Sequence, residues 1–341
     1  MNPRDLLTLL VIGAVVVIGG FATADAIRGK PRAERSATPS VPIQTAPSRL
    51  PGPQPRPDAP PGWPQGLLRG TLTFTDADTC AVRVIGLAGG RERPVAHFAG
   101  DCSLWTPLVG TRLAYGLGAS SPDGLHPFRI ADLGLPNADL GGYRALFGVV
   151  VWSTDGQRVA WCGRDRTGFD LEVLGPARRL PGCPAAYTPD DEIAYAVGNK
   201  VLVESRVYYR APGGVTYAHF GQDRSLVVVV DGERIERIDP DGRMVFSAAL
   251  PAEVEGQTPI LRTDNCGALF PNTEGSVQLL DLGCTPGLPN RSFDGTDAAW
   301  SPDGAWVALS QGDGIAFDRV VGPRLEVQWP AKAAELAWRP E

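Results

Sequence analysis

The stretch Trp300-Ser301-Pro302-Asp303-Gly304-Ala305-Trp306-Val307-Ala308-Leu309 sets a large apolar anchor, a polar turn and a short apolar run in succession. A near twin runs through Trp152-Ser153-Thr154-Asp155-Gly156 into Gln157-Arg158-Val159-Ala160-Trp161. Looser copies begin at Trp105, Tyr187 (Tyr-Thr-Pro-Asp-Asp), Phe220 (Phe-Gly-Gln-Asp) and Leu261 (Leu-Arg-Thr-Asp-Asn), and a last anchor stands at Trp338. Successive anchors lie 47, 35, 33, 41, 39 and 38 residues apart. A period of this size signals units that bury their faces only against their neighbours.

The runs between turns are short and rich in Val, Ile, Leu and Tyr, and Asp-Gly, Pro-Gly and Gly-Gly punctuate them. That content excludes helices and predicts antiparallel strands joined by tight turns. One unit reads as four strands, Val149–Trp152, Arg158–Cys162, Phe169–Leu174 and Ala177–Leu180. Four-stranded units at this period make propeller blades. The repeat resembles that of the TolB-like, or PD40-type, β-propeller family, whose form is Trp-Ser-Pro-Asp-Gly followed by a short apolar strand, and the resemblance covers roughly residues 67 to 341.

The expected fold is therefore all-β, a single propeller over residues 67–341. Ala334–Trp338 reads as a first strand without a sequel, and Leu68–Thr75 as a second strand without a first. Joining them closes the ring at seven blades; six, common in the family, is the alternative count. Closure also removes edge strands that invite aggregation.

Upstream, after a short segment 1–5, Leu6 to Phe21 carries no charge over sixteen residues, and continuing to residue 27 brings it to spanning length. The expectation is an uncleaved single-pass transmembrane helix; a signal segment cleaved near Ala22-Thr23-Ala24 is the competing reading. Residues 28–66 form a linker, with eleven prolines between residues 31 and 66 and few large apolar side chains. Such a composition favours extended polyproline II, reaching on the order of 100 Å at about 3.1 Å per residue. Arg28, Lys30, Arg32 and Arg35 after the apolar segment favour a cytoplasmic carboxyl side by the positive-inside rule. Six cysteines oppose it.

Those cysteines fall as Cys80 and Cys102, Cys162 and Cys183, and Cys266 and Cys284. The first two pairs occupy equivalent places, the end of one unit's second strand and the start of the next unit's first. The third flanks the second and third strands of one unit. Disulfides persist in oxidising compartments, which places the propeller on the extracytoplasmic side of a cell membrane. Zinc is the rival explanation, but no pair has C-x2-C spacing and His97, His126 and His219 are scattered.

Residues 28–66 carry net charge +4, residues 1–27 −1 and the remainder −9. An acidic propeller argues against nucleic acid, which needs clustered cations. No G-x-S-x-G, H-E-x-x-H, Walker or dinucleotide fingerprint occurs, and no cofactor is implied. The turn acids Asp155, Asp190, Asp223, Asp264 and Asp303 recur at one turn position and read as turn-capping groups. Tyr217, His219, Asp297 and Glu335 precede anchors by one or three residues, share one strand face, and are the candidate ligand-binding residues of a central channel. Packing of that face on the neighbouring blade is the favoured, structural reading.

The expected function is a non-catalytic scaffold that binds an envelope protein or a ligand, and protein contact is what the family resemblance implies. The alternatives are a channel-site enzyme, lactonase-like or sugar-processing, which uses a small molecule or metal ion, and a sensor of envelope ligands.

Overall fold

The computed structural model describes residues 59–60, 63–64, 66–97, 109, 111–116, 124–132, 139–146, 150–172, 175–272, 274–284, 288, 290–323 and 325–339. The apolar segment 6–27, most of the linker and Cys102 lie outside them, and no helix among the described residues is long and apolar enough to cross a membrane.

Twenty-seven strands are described. In chain order, β1 (Thr71–Asp76), β2 (Ala81–Gly86) and β3 (Arg91–His97) belong to blade 1, and β4 (Arg112–Gly116), β5 (His126–Asp132) and β6 (Asp139–Ala145) to blade 2. Blade 3 holds β7 (Val150–Trp152), β8 (Arg158–Cys162), β9 (Gly168–Glu172) and β10 (Ala177–Leu180). Blade 4 holds β11 (Cys183–Tyr187), β12 (Ile193–Val197), β13 (Lys200–Val203) and β14 (Arg206–Arg210). Blade 5 is β15 (Val215–Phe220), β16 (Leu226–Val230), β17 (Arg234–Ile238) and β18 (Met244–Ala249). Blade 6 is β19 (Ile260–Leu261), β20 (Gly267–Pro271), β21 (Ser276–Asp281) and β22 (Arg291–Asp294). Blade 7 is β23 (Asp297–Trp300), β24 (Trp306–Gln311), β25 (Gly314–Arg319) and β26 (Glu326–Trp329). The last strand, β27 (Ala333–Arg339), joins blade 1 as its first strand, in the order β27-β1-β2-β3.

All ladders are antiparallel meanders, and in blades 3 to 7 the first strand ends on the anchor residue: Trp152, Tyr187, Phe220, Leu261 and Trp300. Central strands are covered on both faces, so β16 reads Leu-Val-Val-Val-Val with every residue buried. Outer strands such as β18 are mostly exposed. The apolar core lies between blades. Ala186, Ala194 and Val201 of blade 4, for example, meet Ala218, Leu226 and Val228 of blade 5.

Closure pairs Thr71 with Arg339, Leu72 with Trp338 and Phe74 with Leu336. The second strand of this blade starts at Thr71, three residues later than the sequence pattern suggests. Gly70 sits at φ +89°, and a Cβ on it would collide with the Arg339 carbonyl; the chain must turn there before it can pair. Four aromatic rings then lock the seam. Trp63 stands edge-on to Phe317 at 5.4 Å and to Trp329 at 5.1 Å, and Phe317 edge-on to Trp338 at 5.5 Å. Each indole N–H donates across the seam: Trp63 to the Leu87 carbonyl (2.9 Å), Trp329 to Glu92 Oε2 (2.8 Å) and Trp338 to the Arg69 carbonyl (2.8 Å). The packed unit thus reaches back to Trp63, inside the proline-rich stretch.

Candidate functional site

The first strands of successive blades pack on one another, β7 with β11, β11 with β15, β19 with β23, and β23 with β27. Tyr217 and His219 lie on β15, Asp297 on β23 and Glu335 on β27, so all four candidates belong to this inner layer. They are partly reached by solvent. Tyr217 and Asp297 turn toward the following blade. Tyr217 packs beside Val227 and Val229 against Ala268 and Phe270 of blade 6. Asp297 Oδ2 accepts a hydrogen bond from the Leu336 amide of blade 1 at 2.6 Å, which ties blade 7 to the closing strand.

Burial governs the chemistry of these groups. It pushes His219 down to about 4, so its imidazole is neutral at ordinary pH, and it raises the Tyr217 hydroxyl. Burial also lifts Asp297 to about 7, against the opposing pull of the Leu336 and Ala298 amides. The four residues come from three blades: blade 5 supplies two, and blades 7 and 1 one each. Among the described residues, no three His, Cys, Asp or Glu side chains stand together as metal ligands.

The turn acids serve their own turns and their neighbours. Asp155 accepts from the Ser153 hydroxyl (2.7 Å) and Gln157 amide (2.8 Å), and Asp303 from the Ser301 hydroxyl (2.6 Å) and Ala305 amide (3.0 Å). Asp223 and Asp264 cap Ser225 and Cys266 in the same way. Bonds between turns then bind blade to blade: the Thr154 hydroxyl donates to Asp191 (2.6 Å), Arg224 pairs with Asp190 (2.8 Å), and the Gln222 amide donates to the Thr263 carbonyl (2.9 Å).

Between blades 3 and 4, Asp170 on β9 is a hub. It pairs with Arg158 and with Arg178 (2.9 Å), and it accepts from the Tyr187 hydroxyl (2.7 Å). Burial pushes this carboxyl up, but the Arg158 and Tyr187 hydrogen bonds and the Arg158 charge outweigh that and hold it below the usual carboxylate range. On the third strand of blade 5, Glu236 likewise accepts from a blade 4 tyrosine, Tyr209, at 2.8 Å.

Two disulfides are described. Cys162–Cys183 joins the end of β8 to the start of β11 across blades 3 and 4, with Cα atoms 4.8 Å apart, and Cys266–Cys284 brackets β20 and β21 at 5.4 Å. Both separations suit a bridge. Cys80 is also disulfide-bonded.

Sequence reasoning missed a groove of about 330 Å³ between blades 4 and 5. Its apolar lining includes Val203, Val207, Tyr208 and Phe220, and Pro189 and Pro240 stand at its sides. Tyr208 meets Phe220 edge-on at 5.1 Å, and its hydroxyl reaches the Arg224 (3.3 Å) and Pro240 (3.4 Å) carbonyls. Val207 is 50% exposed, and Met244 and Val245, just beyond the Pro240 turn, are 55% and 51% exposed. The only local cue was an outer strand reading Arg206-Val207-Tyr208-Tyr209-Arg210, more apolar than its exposed position requires.

Seven sheets about one closed ring define the chain as a seven-bladed β-propeller. No family model and no curated protein matches it. Among solved structures it is similar to the β-propeller domain of Cps50 (Swd1) from Myceliophteria thermophila, at 12% identity and TM-score 0.44, over 68% of this chain and 87% of that one. That likeness concerns the fold alone.

Proposed function

We propose that the chain is a non-catalytic binding scaffold: a TolB-like propeller tethered to a cell membrane through residues 6–27, held outside the cytoplasm on its proline-rich stalk, and engaging an envelope protein. The observation that carries the binding reading is the groove between blades 4 and 5, whose lining includes Val203, the half-exposed Val207, Tyr208 and Phe220. Exposed apolar clusters of this kind mark interaction sites. The Trp-Ser-Pro-Asp-Gly repeat supports the TolB-like assignment. Two features support the location: the two bridges and the uncharged apolar run from Leu6 to Phe21.

The channel-enzyme reading draws on Asp297, a carboxyl held near neutrality in the inner layer. Its Oδ2 is already engaged by the Leu336 amide, so its evident role is to join strands. Cross-linking in native membranes, followed by purification of the tagged full-length chain and of a version lacking residues 67–341, tests the scaffold reading. A protein recovered only with the propeller supports it; recovery of the same set from both overturns it. Thiol labelling of the envelope-derived protein tests the location, and six freely reactive cysteines would exclude an oxidising compartment.

A further inference from the structure

We propose that the groove between blades 4 and 5 binds an extended, proline-bearing segment of a partner protein that carries arginine or lysine beside its prolines. This rests on the binding-scaffold reading and specifies its site and its ligand chemistry.

The first argument is shape and surface. Tyr208 is fixed by its hydroxyl contacts and by Phe220, so it presents a rigid aromatic wall at little cost in side-chain entropy. Pro189 and Pro240 flank it, and Val203 and Val207 add aliphatic surface. Aromatic-lined grooves of this kind accept polyproline II segments, whose backbone is already extended and loses little freedom on docking.

The second argument is charge. Arg206 and Arg224 on the rim are answered by Glu192 (3.4 Å) and Asp190 (2.8 Å). Asp239 and Asp241, on either side of Pro240, have no ion-pair partner among the described residues; Asp239 Oδ1 accepts only the Asp241 and Arg243 amides. After burial, the Asp239, Asp223 and Asp241 carboxylates raise the Tyr208 hydroxyl, with Arg224 opposing them. A cation flanking the bound prolines answers those carboxylates.

The test uses the full-length oxidised chain in detergent and fluorescence anisotropy with a labelled synthetic peptide, four repeats of Pro-Pro-Arg. Two control peptides replace arginine by glutamate or proline by glycine. Saturable binding is expected, weakened roughly tenfold in either control and roughly tenfold by Tyr208→Ala. Tyr208→Phe keeps the ring and is expected to bind within about threefold of the parent, while Asp241→Lys weakens binding about threefold or more at low salt. An unchanged melting transition certifies that Tyr208→Ala is folded. No saturable binding to the parent, equal binding of the glycine peptide, or full binding by folded Tyr208→Ala each overturns the proposal. The membrane cross-linking experiment repeated with Tyr208→Ala separates the two claims: a propeller-dependent partner retained by that variant refutes the groove while leaving the scaffold reading intact.

Discussion

Replacing Trp63 by alanine removes the outermost ring of the seam. The side chain is only 7% exposed, touches Phe317 and Trp329 edge-on, and supplies the sole indole donor to the Leu87 carbonyl among the described residues. A buried tryptophan cut to alanine costs about 3–5 kcal/mol through lost transfer energy and the cavity left behind. The carbonyl left without its donor adds about 1 kcal/mol where water cannot reach it. Because Trp63 sits at the edge of the packed unit, the site can partly collapse, and we expect about 4 kcal/mol, or a fall of roughly 10 °C in melting temperature for a domain of this size. Trp63→Phe keeps most of the apolar surface and loses the donor, so it is expected to cost about 1–2 kcal/mol. Calorimetry and urea unfolding followed by far-UV circular dichroism measure both. An alanine variant melting within about 2 °C of the parent would refute the view that this residue helps hold the ring shut.

Reducing Cys162–Cys183 and Cys266–Cys284, which span 21 and 18 residues, is expected to cost about 3 kcal/mol each by loop entropy; identical urea midpoints with and without reductant would contradict that. Asp297, raised from 3.8 to about 7, binds its proton more tightly folded than unfolded, so it weakens the fold as pH climbs through that window. With solvent reaching the inner layer and screening the charge, Asp297→Asn is expected to gain about 2 kcal/mol over the parent at pH 8 relative to pH 5; parallel stability curves would exclude it. Asp170 has the opposite sign, its depressed value lending stability that is present above the unfolded carboxylate value near 3.8 and lost as pH falls through the folded one. Asp170→Asn strands Arg158 in a half-open site and is expected to cost about 2–3 kcal/mol at pH 7, less at pH 3; an equal loss at both values would refute its charged role.

The ring was legible because its code is local and repeated. An anchor such as Trp300 ends a strand, Asp303 caps the turn, and the next apolar run starts the second strand, all within ten residues. The composite blade followed from two incomplete halves, and Cys162–Cys183 and Cys266–Cys284 from their places at strand ends. What escaped was whatever depends on two blades at once. Trp63 reads as part of a proline-rich tail until Phe317 and Trp329 are placed beside it. Tyr208 reads as an outer-strand residue until the Pro240 turn of the next blade is set against it. For the inner-layer candidates, pattern alone could not say that Asp297 would spend its oxygen on the Leu336 amide.

The seam also sets a schedule for biosynthesis. Trp338 donates to a carbonyl 269 residues earlier in the chain. At roughly 5–20 residues per second, β1 emerges from the ribosome about a quarter of a minute to a minute before β27 exists to cover it. Throughout that interval one edge of the first blade stands open to any other nascent strand. The chain is therefore most vulnerable to misassembly while it is being made, and a chaperone that shields residues 71–76 would protect it more than one acting on any later blade.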